Sequence, residues 1–194
     1  MPRFTKNYLD ARCKQCLMQH AYCICDGIPA VKTQIEFIVV RHWKERNKPS
    51  NTARLAELAM PSLTVVDYGA AGTTWDPRTL LVPQPALLFP DTGGPTSYAT
   101  PKTVIVVDGT WPQARKLVNK IPGLNGLPRL RIHPPATAPV RMRTPPIADG
   151  MSTIEAIAAA LDTLEGTGTG DPLRELFHRA VEATISARGR PLHQ

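Results

Sequence analysis

The sequence predicts an α/β fold with a mainly parallel sheet that carries helices on both faces. The predicted strands are near-continuous hydrophobic runs, as expected for strands buried on both faces of a parallel sheet. They alternate along the chain with helical segments, which is the order that strand–helix–strand units produce. The 194 residues are enough for one domain with a sizeable core and a small appendage. We therefore expect a domain over 31–194, preceded by a small segment over 1–30.

Five segments are predicted as strands, because each is a short run rich in β-branched and other apolar residues. They are 33–40, 63–68, 85–89, 103–107 and 127–132. No G-x-G-x-x-G follows the first of them, so the fingerprint of a dinucleotide-binding Rossmann domain is missing.

Four segments are predicted as helices, and they are 52–60, 112–120, 152–166 and 172–187. The second begins at Pro112, whose missing N–H costs nothing in the first helical turn. The third is the clearest, because Ser152 and Glu155 form an S-x-x-E capping box and Gly166 stands at its end. The proline-rich stretch 133–150 is predicted to be irregular.

The composition points to a cytoplasmic protein that does not span a membrane. Hydrophobic residues make up 42% and charged residues 20% of the chain, and no run of 18 apolar residues occurs. The first residues, "MPRFTKNYLDARCKQC", have no apolar signal core, so secretion is not expected.

All four cysteines lie close together in "CKQCLMQHAYCIC", at Cys13, Cys16, Cys23 and Cys25. Four thiolates match the tetrahedral coordination of a structural zinc ion, and His20 lies between the pairs as an alternative ligand. Such a site has no open position for catalysis. Redox pairing and plain free cysteines remain the alternatives.

Positive charge is concentrated rather than scattered. The net charge is +7, and 109–148 contains no acid. Seven basic residues fall in this span: Arg115, Lys116, Lys120, Arg129, Arg131, Arg141 and Arg143. A second cluster at 41–48 has four basic residues against one acid. Localised positive charge favours a nucleic-acid partner, the alternative being ordinary surface charge that keeps the protein soluble.

The stretch "VIVVDGTWPQAR" places an acid at the end of a buried strand. Ligands of parallel sheets bind outside the carboxyl ends of the strands, where Asp108 is expected. Gly109 allows a close approach of the backbone, and Thr110 or Trp111 caps the next helix. Trp111 offers a face on which a base can stack. The alternative is that Asp108 is a turn residue and Trp111 a core residue.

Two further junctions resemble this one and are expected to converge with it. Phe89-Pro90-Asp91 ends another predicted strand, and Asp149-Gly150-Met151-Ser152 precedes the capped helix. No Ser-His-Asp set, Walker loop or zincin motif competes for the chemistry.

The motif "DGTW" at 108–111 resembles the signature of the DTW-domain family. The resemblance covers nearly the whole chain, because three other blocks are similar to those of the family: "HWKERNKPSNTARL" at 42–55, "LLFP" at 87–90 and "MSTIEA" at 151–156. The cysteine cluster also resembles the N-terminal cluster of the family. Trp43 departs from the proline that is usual there.

The resemblance implies a tRNA-uridine aminocarboxypropyltransferase. Its fold would be similar to the SPOUT class, in which a knotted C-terminal part holds S-adenosylmethionine. The donor would give its 3-amino-3-carboxypropyl group to N3 of a tRNA uridine and leave as methylthioadenosine. Two alternatives stay open, a SPOUT-like RNA methyltransferase and a zinc-containing RNA-binding module without activity. We expect a monomer or a weak homodimer.

The resemblance also implies roles for single residues. Those expected to be catalytic are Asp108, Thr110 and Trp111. Those expected to line the donor pocket are Leu88, Phe89, Pro90, Gly109, Met151, Ser152, Thr153 and Glu155. Those expected to contact RNA are Arg46, Asn51, Arg115, Arg141 and Arg143.

Overall fold

The computed structural model describes residues 10–89, 100–132 and 150–189. Within these ranges four strands form one entirely parallel sheet in the order β2-β1-β4-β3. The strands are β1 (Glu36–His42), β2 (Leu63–Tyr68), β3 (Pro85–Leu88) and β4 (Thr103–Asp108). The predicted parallel sheet is confirmed.

Four α-helices accompany the sheet in the described ranges: α1 (Ala53–Ala59), α2 (Trp111–Lys120), α3 (Thr153–Glu165) and α4 (Asp171–Ser186). Helices α1, α3 and α4 contribute to one apolar cluster, with Phe37 and Val39 of β1. Helix α2 packs in a second cluster with Ile105 and Val107 of β4. Because neighbouring side chains of a strand point to opposite faces, the two clusters lie on opposite faces of the sheet. The predicted helices on both faces are therefore confirmed.

Helix α3 has the predicted ends. Ser152 is its N-cap residue, and the Glu155 carboxylate accepts a hydrogen bond from the Ser152 backbone N–H at 2.7 Å. Gly166 follows the last turn with φ of 111°, a backbone conformation that favours glycine.

The predicted fifth strand, 127–132, is wrong. It is reduced to a single parallel bridge between Leu87 and Arg129. The Leu87 N–H donates to the Pro128 carbonyl at 2.7 Å, and the Leu130 N–H donates to the Leu87 carbonyl at 3.0 Å. Pro128 has no N–H, which limits how far a ladder can extend along this segment.

The cysteine-containing segment packs against the main domain. Cys16, Met18 and Ile24 are buried in the apolar cluster shared with α3 and α4. The Arg179 guanidinium of α4 donates to the carbonyls of Asp26 at 2.6 Å and Gly27 at 2.8 Å. The boundary between this segment and the domain stays a prediction, as do the SPOUT relation and the knot.

No helix within the described ranges is long and apolar enough to cross a membrane.

Gly170, just before α4, is required by the close approach of α3. A Cβ atom at this position would lie 2.2 Å from the carbonyl oxygen of Ala158. We expect Gly170→Ala to destabilise the protein by roughly 1–3 kcal/mol or more, since backbone atoms must move to admit the methyl group. Gly126→Ala is the matched control, because nothing lies within 4 Å of its added Cβ. Urea unfolding of both variants checks this, and equal midpoints would contradict it.

Candidate active site

The two central strands of the sheet, β1 and β4, are followed by connections that run to opposite faces of the sheet. The loop after β1 leads to α1 on one face, while the loop after β4 leads to α2 on the other. Such a switch point opens a crevice at the carboxyl ends of the two strands. Asp108 is the last residue of β4 and pairs in register with Arg41 of β1. The acid of the DGTW motif therefore lies at the position where parallel sheets bind ligands.

Asp108 is held by side chains from two other elements. Its carboxylate accepts a hydrogen bond from the Asn51 amide at 2.5 Å and another from the Thr153 hydroxyl at 2.5 Å. Only 5% of the residue is exposed. Burial raises the pKa of Asp108 above its usual value, although the bonds from Thr153 and Asn51 act in the opposite direction. The site thus contains a fixed carboxylate with more affinity for a proton than an exposed one.

Two buried charged residues complete the surroundings of Asp108, and both were missed from the sequence. The Arg41 guanidinium bonds Asp67 at 2.7 Å and lies 3.5 Å from the Asn51 side-chain oxygen. Glu45 is also buried and forms an ion pair with Lys48. Both belong to the basic cluster at 41–48 that was predicted to favour a nucleic-acid partner, and nothing in that pattern indicates that these two side chains are buried. The side chain of Asn51 therefore bridges Arg41 and Asp108.

Gly109 and Thr110 form a tight turn into α2. The Gln113 side chain accepts a hydrogen bond from the Thr110 N–H at 2.7 Å, as part of a capping box. A Cβ atom on Gly109 would lie 3.0 Å from the Gln113 Cβ and 3.5 Å from the His42 Cβ. Glycine is thus favoured here by the packing of the turn.

An aromatic pair lies at the edge of the turn. The rings of Phe89, after β3, and Trp111, the first residue of α2, are 6.3 Å apart at an angle of 49°. Both side chains are half-buried, whereas Leu88 is buried in the apolar cluster on the other face of the sheet. Phe89, which was predicted to line the donor pocket, is therefore brought next to Trp111.

The start of α3 meets Asp108 from the opposite face. Thr153 bonds Asp108 directly, and the Ile154 N–H donates to the Thr52 hydroxyl at 3.4 Å. Ser152 and Met151 immediately precede Thr153 and are half-buried. The predicted block at 151–156 thus adjoins the DGTW turn, with Glu155 buried in the first turn of α3.

Residues 10–185 match the DTW domain family. The chain belongs to this family. It is 28% identical over 169 residues to the "tRNA-uridine aminocarboxypropyltransferase 2" of Drosophila melanogaster, a match that covers 79% of this chain and 66% of the relative. It is 25% identical over 188 residues to the protein of the same name from Macaca fascicularis, covering 90% of this chain and 62% of the relative. The chain thus spans less than two thirds of the length of these relatives. No solved structure matches it significantly.

The residues of this DTW domain that were predicted to contact RNA differ in their exposure to solvent. Arg115 is exposed on α2, and the Arg46 side chain is half-exposed, 3.5 Å from Asp67. Asn51 is buried, with its side chain bonded inside the site. Its contact with RNA stays a prediction. Arg141 and Arg143 lie outside the described residues, so their contacts with RNA also stay predictions. Pro90, which was predicted to line the donor pocket, lies outside the described residues as well.

Arg129 does not belong to the basic surface of the DTW domain. It is buried in the domain, and its guanidinium donates to the side-chain oxygen of Asn125 at 2.7 Å. The exposed basic residues of the acid-free span are, within the described ranges, Arg115, Lys116, Lys120 and Arg131.

The four cysteines form a cluster at the N-terminal side of the DTW domain. Their sulfur atoms lie within 4.8 Å of one another, with Cys13 to Cys25 at 3.5 Å and Cys16 to Cys23 at 3.8 Å. Four ligands at the usual zinc–sulfur distance of about 2.3 Å are about 3.8 Å apart in a tetrahedron. The cluster could therefore hold a metal ion, and His20 is not part of it.

Proposed function

We propose that this DTW domain is a tRNA-uridine aminocarboxypropyltransferase. It would move the 3-amino-3-carboxypropyl group of S-adenosylmethionine to N3 of a uridine in tRNA. Membership of the family and the names of both relatives support this activity. The observation that carries it is the buried carboxylate of Asp108, fixed at the switch point of the sheet by Asn51 and Thr153.

Asp108 suits the removal of a weakly acidic proton. Uridine N3–H is a poor nucleophile until its proton is taken, and a base that accepts the proton during attack would help. The raised pKa of Asp108 makes it a better proton acceptor than an exposed carboxylate. In this step the N3–carbon bond forms, the carbon–sulfur bond breaks, Asp108 takes the proton and sulfur leaves as a neutral thioether. Asn51 and Thr153 orient the carboxylate while leaving lone pairs free to accept the proton.

The donor carries three carbons on its sulfonium that are open to attack, so orientation selects the group transferred. The residues that surround Asp108 fit such a molecule. Phe89 and Trp111 offer aromatic surface for an adenine ring. Helices α2 and α3 both begin beside Asp108, and the positive ends of their helix dipoles favour an anion such as the donor's carboxylate.

A double-label experiment tests the reaction. The protein is incubated with tRNA and with S-adenosylmethionine labelled either on the methyl carbon or on the carboxyl carbon. Transfer of the carboxyl label alone supports the proposal. Transfer of the methyl label indicates an RNA methyltransferase, and absence of any transfer to RNA indicates a binding module.

We further propose that the four cysteines hold a structural zinc ion. The supporting observation is the spacing of their sulfur atoms, which suits tetrahedral thiolate ligation. With four protein ligands the metal would have no free position for substrate. Its role would be to fold a segment that is too short to have its own core and to present it to RNA.

We expect tRNA binding to weaken steeply as salt rises, because exposed basic side chains would contact phosphates. Each phosphate contact contributes about −0.9 to the slope of log affinity against log salt on duplex, or about −0.7 on single strands. Replacing Arg115 and Lys116 together by alanine should reduce the slope accordingly and weaken binding to all tRNAs alike, as should alanine at Arg141 and Arg143. Arg78→Ala is the control, because Arg78 is exposed but paired with Asp76. Filter binding at several salt concentrations measures this, and a flat salt response would contradict it.

A further inference from the structure

Trp43 is an exposed aromatic side chain at the edge of the candidate site. It directly follows β1 and begins a short 3-10 turn over Trp43–Glu45. With 37% of its surface exposed, it is one of three large hydrophobic residues that the described ranges expose, the others being Tyr22 and Leu81. Neither the core nor the Asp108 network uses this ring.

Trp43 lies close to Asp108. Arg41 pairs with Asp108 across neighbouring strands, about 4.8 Å apart, and Trp43 is two residues further along. Two residues of extended chain span at most about 7 Å, so the Cα atoms of Trp43 and Asp108 are separated by no more than about 12 Å. A short run of single-stranded nucleotides covers that distance.

The Trp43 ring packs against neighbouring residues on the protein surface. The His42 ring is stacked at 6.4 Å with an interplanar angle of 19°. A Cβ atom on Gly69 would lie 3.4 Å from Trp43 Cδ1, so the ring covers the turn after β2. A ring held in this way loses little conformational freedom on binding.

The charges around Trp43 are mainly positive. The Lys44 Nζ lies 5.6 Å from the centre of the Trp43 ring. Burial lowers the pKa of His42, and the charges of Lys44, Lys48 and Lys116 lower it further against the opposing effect of Glu45. An aromatic face next to cations is the arrangement with which proteins bind single-stranded nucleic acid, because bases stack and phosphates pair with the cations. A protein partner would instead require a larger apolar patch than one ring.

We propose that Trp43 stacks on an unpaired nucleobase that neighbours the target nucleotide, so that RNA is bound in the site as a single strand. The proposal rests on the proposed function for the identity of the RNA. It follows that pairing of the flanking nucleotides weakens binding, since a paired base is already stacked within its helix.

Three variants and one control test the proposal. Trp43→Leu keeps an apolar side chain without a ring, Trp43→Phe keeps a ring, and Trp43→Ala removes both. Stacking on an aromatic residue contributes about 1–3 kcal/mol per base, so Trp43→Leu and Trp43→Ala should bind tRNA about 5- to 150-fold more weakly. Trp43→Phe should retain most of the affinity. Leu81→Ala, which alters a side chain that is 80% exposed, should bind like the parent.

The salt dependence of binding separates stacking from a phosphate contact. Because the substitutions at Trp43 remove no charge, the slope of log affinity against log salt should stay that of the parent. The parent should also prefer a single-stranded oligonucleotide over its duplex by a margin that Trp43→Leu reduces. Equal tRNA affinities of Trp43→Leu and the parent would overturn the proposal. So would a slope of log affinity against log salt that differs between the Trp43 variants and the parent.

Direct binding keeps this test independent of catalysis. If the parent binds tRNA through Trp43 but transfers no label, the proposed function fails and the stacking proposal stands. If the parent transfers the carboxyl label while all three Trp43 variants bind tRNA like the parent, the stacking proposal fails and the function stands. Melting temperatures of the variants show whether weaker binding reflects the lost ring or a lost fold, and Trp43→Leu serves where Trp43→Ala unfolds.

Discussion

Asp108→Asn is expected to lower the single-turnover rate of transfer by about 10² to 10⁴, the range typical of a lost general base. Asparagine has the same shape and can keep both hydrogen bonds. Its oxygen can accept from the Asn51 amide, and its new amide group can donate to the oxygen of the Thr153 hydroxyl. Donor binding and metal content should therefore be unchanged. Rapid-quench measurement with labelled donor and a melting curve of the variant check this.

The pH dependence of the melting temperature tests the raised pKa of Asp108 independently of the activity. Because the pKa of Asp108 is raised in the folded state, the stabilising contribution of its protonated form is complete below the usual value of 3.8 and is lost as the pH rises through the folded pKa. Asparagine does not titrate. The melting temperature of Asp108→Asn relative to the parent should therefore be more favourable at pH 7 than at pH 4. In the transfer assay, a rate of Asp108→Asn close to that of the parent would mean that Asp108 has only a structural role.

Cys25→Ser is expected to abolish the bound zinc and to unfold the segment around the cysteine cluster. Zinc binding contributes about 10–16 kcal/mol to the folding of zinc-finger peptides at pH 7, so loss of one thiolate removes a large part of what orders the segment. We expect one zinc ion per chain in the parent and close to none in the variant by elemental analysis. Protease sensitivity near residues 13–25 should rise in parallel.

His20→Ala is the matched control for the cysteine variant. His20 lies between the two cysteine pairs in sequence, but it is exposed and outside the sulfur cluster. It should therefore retain the full zinc content. Loss of zinc in His20→Ala, or a folded and metal-free N-terminal segment in the parent, would contradict the proposed all-cysteine site.

Local signals in the sequence predicted much of this fold. The capping box of Ser152 and Glu155 located the start of α3, because both residues act within one turn. The place of Asp108 at a strand end followed from the apolar run before it. The fifth strand was wrong: the apolar pattern of 127–132 was read as a strand, although Pro128, which has no N–H, limits its pairing to one bridge with Leu87.

The sequence predicted that the junction at 149–152 converges with Asp108, but it did not predict which side chains bond Asp108. Asn51 and Thr153 are 57 and 45 residues from Asp108 along the chain, and nothing local reveals that their side chains meet. Arg129 was counted in the basic, acid-free span for the same reason, since its burial depends on contacts with other parts of the chain, among them the bridge to Leu87. Residue types indicated the chemistry, whereas the partners of each residue depended on the order of the strands.

The hydrogen bonds from Arg179 to the carbonyls of Asp26 and Gly27 join parts of the chain that are 153 and 152 residues apart. During synthesis the cysteine segment leaves the ribosome before α4 does. Thiols can gather a metal ion as soon as they emerge, but the surface that receives the segment is complete only when α4 has been made. A nascent chain would thus carry a cysteine segment that has folded but has not yet docked. Docking would occur only after Arg179 has been synthesised.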